Sequence, residues 1–149
     1  MFKRLKRRRR FFSPKEEMEI IMAIRHAERQ TTGEIRVHIQ HFVIADPVTD
    51  ALAAFHRLKM DRTKDRNGVI FFIVPEKRRF AIYGDEGIHR VVTSDFWDEI
   101  KDILETSFRK GAFKDGLIRA IERTGEKLKA YFPADGTDHN ELPDDISYG

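Results

Sequence analysis

From Ser13 onward the chain alternates between helical and extended patterns of apolar residues. In SPKEEMEIIMAIRHAERQTTG, Met18, Ile21, Ala23, Ile24 and Ala27 fall on roughly one helical face. Ser13, Pro14 and Glu16 supply an N-cap, a first-turn proline and a capping box. Gly33 is expected to end the element as a left-handed cap or turn. GEIRVHIQHF then alternates strictly. Ile35, Val37 and Ile39 point one way and Glu34, Arg36, His38 and Gln40 the other, which predicts a strand with one buried and one polar face.

ADPVTDALAAFHRLKM repeats the helical grammar, with Asp46 as cap, Pro47 after it, and a stripe of Val48, Ala51, Leu52, Phe55 and Leu58. DRTKDRNG is a loop with an Asn-Gly turn signal. GVIFFIVP is continuously apolar, the mark of a central strand covered on both faces. The short link PEKR joins it to RFAIYG, so these two strands are expected to form an antiparallel hairpin. A third helix is predicted from Ser94, burying Phe96, Ile100, Ile103, Leu104 and Phe108 and stopped by Gly111. A fourth carries Phe113, Leu117, Ile121, Leu128 and Phe132, and Pro133 ends it. Gly116 and Gly125 lie inside this helix, where glycine costs ~1 kcal/mol, so close backbone packing is the expected reason for them. The order α-β-α-β-β-α-α describes one α/β domain with a small mixed sheet and helices on its faces.

Charge divides the chain into three parts. Residues 1–10 hold seven of the 28 Lys and Arg and no acid, which leaves 21 basic against 25 acidic side chains in the rest. From Ala134 onward there are five acids and no Lys or Arg. We therefore read residues 1–12 as a basic arm, 13–133 as the domain and 134–149 as an acidic tail with Leu142, Ile146 and Tyr148 as apolar anchors. The arm accounts for the high pI of about 9.2; it suits an anionic membrane surface or a nucleic-acid backbone, or else it is a solvated tail that pairs with the acidic one. No apolar run approaches the ~20 residues that span a bilayer, and a cytoplasmic location is expected. The absence of cysteine excludes disulfides, thiolate metal sites and a cysteine nucleophile.

Candidate chemistry concentrates in YGDEGIHRVVTSDFWDEI, Tyr83 to Ile100. Two readings fit it. In one, Gly84 and Gly87 make turns, Ser94 is an N-cap, and Asp95, Asp98 and Glu99 complement a helix dipole. In the other, the carboxylates form an oxygen-rich site for a hard cation, Ca2+ or Mg2+. Asp85 and Glu86 directly follow a strand, and in α/β sheets ligands gather outside the carboxyl ends of strands. The metal candidates, in order, are Asp85, then Glu86 and Asp95, then Asp115. The spacing is not that of an EF-hand, and no phosphate-binding G-x-x-x-x-G-K-[ST] loop occurs. Phosphoester hydrolysis would therefore fall to the metal, with Arg90 or Arg66 as a fork for the phosphate, although a solvated surface role is the ordinary one for both. The six histidines lack metal-ligand spacing and read as surface or packing residues; Trp97 reads as partly buried.

TGEIRVHI, RNGVIFFIVPEKRRFAIYGDEGI, the TSDFWDEI segment, FRKGAFKDGLIRAI and NELPDDISYG together resemble the TPM domain family, in its short stand-alone bacterial form. The family is named for a thylakoid-lumen phosphatase, a photosystem II repair protein and a worm receptor modulator. The resemblance covers Pro14 to Gly149. It implies a Rossmann-like α/β/α sandwich that binds divalent cations, calcium especially. It also implies one of two roles: a metal-assisted phosphatase or nucleotide (ATP/ADP) hydrolase, or a non-catalytic interaction or assembly module with a structural metal. The family's recurrent elements fall at Glu34, Asn67-Gly68, Gly84 to Gly87 and Thr93 to Asp95. Where longer relatives commonly have a Thr-Asp pair, this chain has Thr93-Ser94 followed by Asp95.

Overall fold

The computed structural model describes residues 11–136 and 145–149. The basic stretch 1–10 and Leu142 lie outside the described residues, as do most of the tail acids. Four strands form one mixed sheet in the order β3-β2-β1-β4: β1 (Glu34–Ile39), β2 (Gly68–Val74), β3 (Arg79–Gly84) and β4 (Ser147–Tyr148). The helices are α1 (Pro14–Glu28), α2 (Pro47–Arg57), the single turn α3 (Glu86–His89), α4 (Asp98–Arg109) and α5 (Phe113–Lys129). β1 and β2 are parallel, with Glu34 opposite Gly68 and Ile39 opposite Ile73, and α2 makes the crossover between them. β2 and β3 form the expected antiparallel hairpin, Val69 opposite Gly84 and Val74 opposite Arg79.

The sheet has apolar residues on both faces, because β2 alternates between two cores. Val69, Phe71 and Ile73 join Ile35, Val37 and Ile39 of β1 beneath α1, α4 and α5. Ile70, Phe72 and Val74 face the other way, against Ala51, Ala54 and Phe55 of α2. The result is the α/β/α sandwich that the pattern predicts. Gly116 and Gly125 have the packing role expected of them. A Cβ at Gly116 would lie 2.1 Å from the Ser107 Cβ of α4, and one at Gly125 would lie 2.7 Å from the Ala27 Cβ of α1. The two glycines let α5 approach both neighbours closely.

The structure corrects several expectations. Gly33 is not left-handed. α1 ends earlier, with Arg29 as C-cap, and a Cβ at Gly33 would come within 2.9 Å of Leu128 Cδ1, so this glycine is a packing contact. Ser94 does not cap a helix. Residues 94–97 form turns, α4 begins at Asp98, and Phe96 N–H donates to the Thr93 carbonyl. The outer helical stripes are rotated: Met18, Val48 and Leu52 are exposed, and the buried face of α2 includes Asp50 instead. α5 ends at Lys129, before Pro133.

The largest correction concerns β1, whose six residues are all buried. The tail returns to the sheet as β4, parallel to β1 along its outer edge, with His38 opposite Ser147; the His38 ring stacks on Phe72 and its Nδ1 lies 2.7 Å from Ser147 Oγ. Ile146 is buried in the main core, Gly149 N–H donates to the Ile39 carbonyl at 2.9 Å, and the Tyr148 hydroxyl donates to Glu17 at 2.8 Å.

Candidate functional site

Three segments build the surroundings of Asp85. β3 stops at Gly84, where the Trp97 ring lies so close that a Cβ would sit 2.6 Å from its Cζ2. The loop before β2 brings Arg66, in the left-handed region at φ +49°, alongside. α3 starts at once, with Asp85 as its N-cap. Gly87 closes the arrangement: its N–H donates to the Arg66 carbonyl at 2.9 Å, and a Cβ would stand 2.1 Å from the Asp65 carbonyl oxygen. Only glycine permits that approach.

Asp85 is buried, and three hydrogen bonds use its carboxylate. Arg66 Nε donates to Oδ2 at 2.7 Å, Arg66 Nη2 to Oδ1 at 3.0 Å, and Glu86 N–H to Oδ1 at 2.8 Å. This is a two-pronged guanidinium–carboxylate pair combined with an N-cap. Arg66 Nη1 also lies 3.2 Å from Glu86 Oε1, which Arg90 Nη2 reaches at 3.0 Å. The hydrogen bond that Arg66 donates to Asp85 raises the Arg66 pKa. Burial, helped by the Asp85 charge, raises that of the Tyr83 hydroxyl.

The other predicted ligands lie elsewhere. Asp95 is exposed at the start of the 94–97 turn, where the Thr93 hydroxyl donates to it and holds its carboxyl below the usual range. Asp115 is in the first turn of α5, 2.9 Å from Lys114 Nζ, which also pairs with Glu19 of α1 at 2.7 Å. Thus Asp85 and Glu86 are brought together, while Asp95 and Asp115 each have local partners. Among the described residues, no three acidic or histidine side chains converge as a metal-holding group. The residues as arranged do not fit a preformed Ca2+ or Mg2+ cup, because Arg66 already supplies the positive charge between Asp85 and Glu86.

The strand-end argument also changes. β3 is antiparallel to β2, its one neighbour in the sheet, so its carboxyl end lies at the amino ends of β1 and β2, opposite Val69 and next to the Gly68 carbonyl that accepts from Asp85 N–H. The carboxyl-end rule for parallel strands therefore does not single out Asp85. Sequence reasoning missed the role of Arg66, which it read as solvated. It named Asn67 as a turn residue but not its contact: the buried amide donates to Thr32 Oγ1 at 3.1 Å and ties the loop to the start of β1. The position of Arg66 just before an Asn-Gly pair was the available signal. An open groove of about 340 Å³ between α1 and α5 is lined by Met18, Glu19, Met22 and Ile118, among others, and does not include Asp85, Glu86 or Asp95.

The sequence profile of the TPM domain matches residues 6–127. The chain belongs to the TPM domain family. A TPM-fold neighbour, the BA42 protein from the psychrophilic bacterium Bizionia argentinensis, solved by NMR, is 44% identical with a TM-score of 0.91, and the match covers 96% of this chain and 99% of that one. The N-terminal domain of the cg2496 protein from Corynebacterium glutamicum is 16% identical (TM-score 0.64; 86% of this chain, 78% of that one). The N-terminal domain of a protein from P. gingivalis is 17% identical (TM-score 0.67; 85% and 83%). These two share the fold of this TPM domain. No curated protein matches the chain.

Proposed function

We propose that this TPM domain is a non-catalytic interaction or assembly module, with the acids after β3 serving as internal scaffold. The observation that carries this reading is the engagement of buried Asp85: Arg66 donates to both of its oxygens and the Glu86 N–H to one of them. A carboxylate committed in this way is a poor ligand and a poor base, because either role would leave the Arg66 guanidinium without its main partner. A Ca2+ or Mg2+ ion at this position would have to displace Arg66. The competing reading, metal-assisted hydrolysis of a phosphoester or nucleotide, needs water activated by such an ion.

The test is hydrolysis of a generic aryl phosphate and of ATP, with and without Ca2+ or Mg2+, by the full chain and by Asp85→Asn. The module reading expects no metal-dependent turnover above the blank. Metal-dependent turnover that Asp85→Asn abolishes, in a protein that keeps its amide NMR fingerprint, would replace this reading with the catalytic one.

A further inference from the structure

At the opposite end of the sheet from Asp85, where β1 and β2 finish, the chain exposes apolar side chains of the loop before α2 together with Val48 and Leu52, which the helical pattern would have buried. Phe42 is 52% exposed, Ile44 78% and Val48 67%, and Leu52 stands one turn beyond Val48 on the outer side of α2. The apolar loop is held firmly. Asp50, itself buried, accepts from Ile44 N–H at 2.7 Å and Ala45 N–H at 3.0 Å, and Gln40 Nε2 donates to the Phe42 carbonyl at 2.9 Å. The display is thus a built feature of the loop.

A basic turn lies beside it. His41 Nδ1 is 2.7 Å from Glu76 Oε1, which joins the loop to the β2–β3 turn, where Lys77, Arg78 and Arg79 are all exposed. Two acids share this rim, and both are engaged: Glu76 by His41, and Asp46 by its cap bond to Thr49, with Arg79 near enough to lower its pKa further. Lys77 and Arg78 have no ion-pair partner among the described residues.

We infer that this end of the domain is a peripheral membrane-binding surface. Phe42, Ile44 and Val48 enter the headgroup–acyl boundary while Lys77 and Arg78 meet anionic lipid phosphates. An exposed apolar tip with a cationic rim is what an interfacial anchor requires, since apolar burial and attraction to anionic lipid act together. The exposed Lys77 and Arg78 beside the apolar residues complement the charge of an anionic lipid surface. This inference is independent of the module reading, because an enzyme could be anchored in the same way.

The experiment is sedimentation of the full chain with vesicles of phosphatidylcholine, alone or mixed with phosphatidylglycerol. The proposal expects salt-sensitive binding to the mixed vesicles. The pair Ile44→Asp and Val48→Asp should weaken it ~10-fold or more, and Lys77→Gln with Arg78→Gln several-fold, in proteins whose amide spectra remain folded. On the wild-type chain, spin-labelled lipid should broaden the amide signals of residues 42–48. Absence of binding overturns the proposal. So does binding that the Ile44 and Val48 changes leave intact, which would assign attachment to residues 1–10. A concentration-dependent dimer that Ile44→Asp dissolves would instead give the surface to a second copy of the chain.

Discussion

Arg66 and Asp85 stand 19 residues apart in sequence and meet through two hydrogen bonds, Nε to Oδ2 at 2.7 Å and Nη2 to Oδ1 at 3.0 Å. The β2–β3 hairpin brings them together. Arg66 lies just before β2 and Asp85 just after β3, so antiparallel register places both at one edge. Their bond closes the hairpin's open end and fixes the entry into α3.

Asp85→Ala would leave the Glu86 N–H without its cap and Arg66 without its main anion. The expected loss of stability is on the order of 2 kcal/mol, a cap plus a buried hydrogen bond to charge. Urea unfolding measures it. Asp85→Asn keeps an acceptor for one donor and should cost less; equal losses would show that charge, and not hydrogen bonding, dominates the pair.

Gly87→Ala tests the same junction sterically. The new Cβ would meet the Asp65 and Arg66 carbonyl oxygens at 2.1 and 2.6 Å, both backbone atoms that cannot rotate away. The loop must move, and the Gly87 N–H to Arg66 bond must stretch. The expected cost is roughly 2–3 kcal/mol, read as a lowered thermal midpoint. Gly111→Ala is the control, because no atom lies within 4 Å of its Cβ position and only its left-handed φ of +76° opposes the change. It should cost about 1 kcal/mol.

Ile146 gives a third test. The tail adds β4 to the sheet and buries Ile146 in the main core. Ile146→Asp should therefore destabilise the whole domain by about 3 kcal/mol, since it removes buried apolar surface and inserts an unpaired charge. Limited proteolysis would distinguish local from global effects. A tail released with no change in the urea midpoint would mean that β4 is a dispensable addition.

Elements whose signal is local were legible in the sequence. The runs GVIFFIVP and RFAIYG are β2 and β3, and the short PEKR link made their antiparallel pairing readable. Ser13, Pro14 and Glu16 form the capping box that their spacing announces. What failed depended on distant partners. The polar side of β1 looks solvent-facing, yet His38 is buried against Phe72 and bonded to Ser147, more than 100 residues later. Val48 and Leu52 look like core because amphipathic spacing gives a stripe without its exact orientation, and Asp50 turns inward to hold the Ile44 loop. Arg66 and Asp85 were each visible, but their pairing follows from hairpin register. Clustered carboxylates in sequence resemble a cation cup; in the fold, an arginine and one backbone N–H take up the cluster's first member.

His38 carries the pH dependence. It lies on the covered face of β1, stacked on Phe72 at 5.5 Å, with Nδ1 2.7 Å from Ser147 Oγ and, among the described residues, no hydrogen-bond partner at Nε2. Burial pushes its pKa down from 6.5 to about 4; Arg57 and Arg36 push the same way, and Gln40 opposes them. The unfolded chain therefore binds a proton between these values that the folded chain does not. Stability should be fully present above pH 6.5 and be lost as pH falls toward 4, with a limit of roughly 3 kcal/mol for a single group. The comparison is urea unfolding of the wild type and His38→Gln at pH 7.5, 5.5 and 4.5. The wild type should lose stability relative to the variant on acidification, because the variant cannot take up that proton. Parallel losses in the two proteins would assign the acid sensitivity to carboxylates and remove His38 from the account.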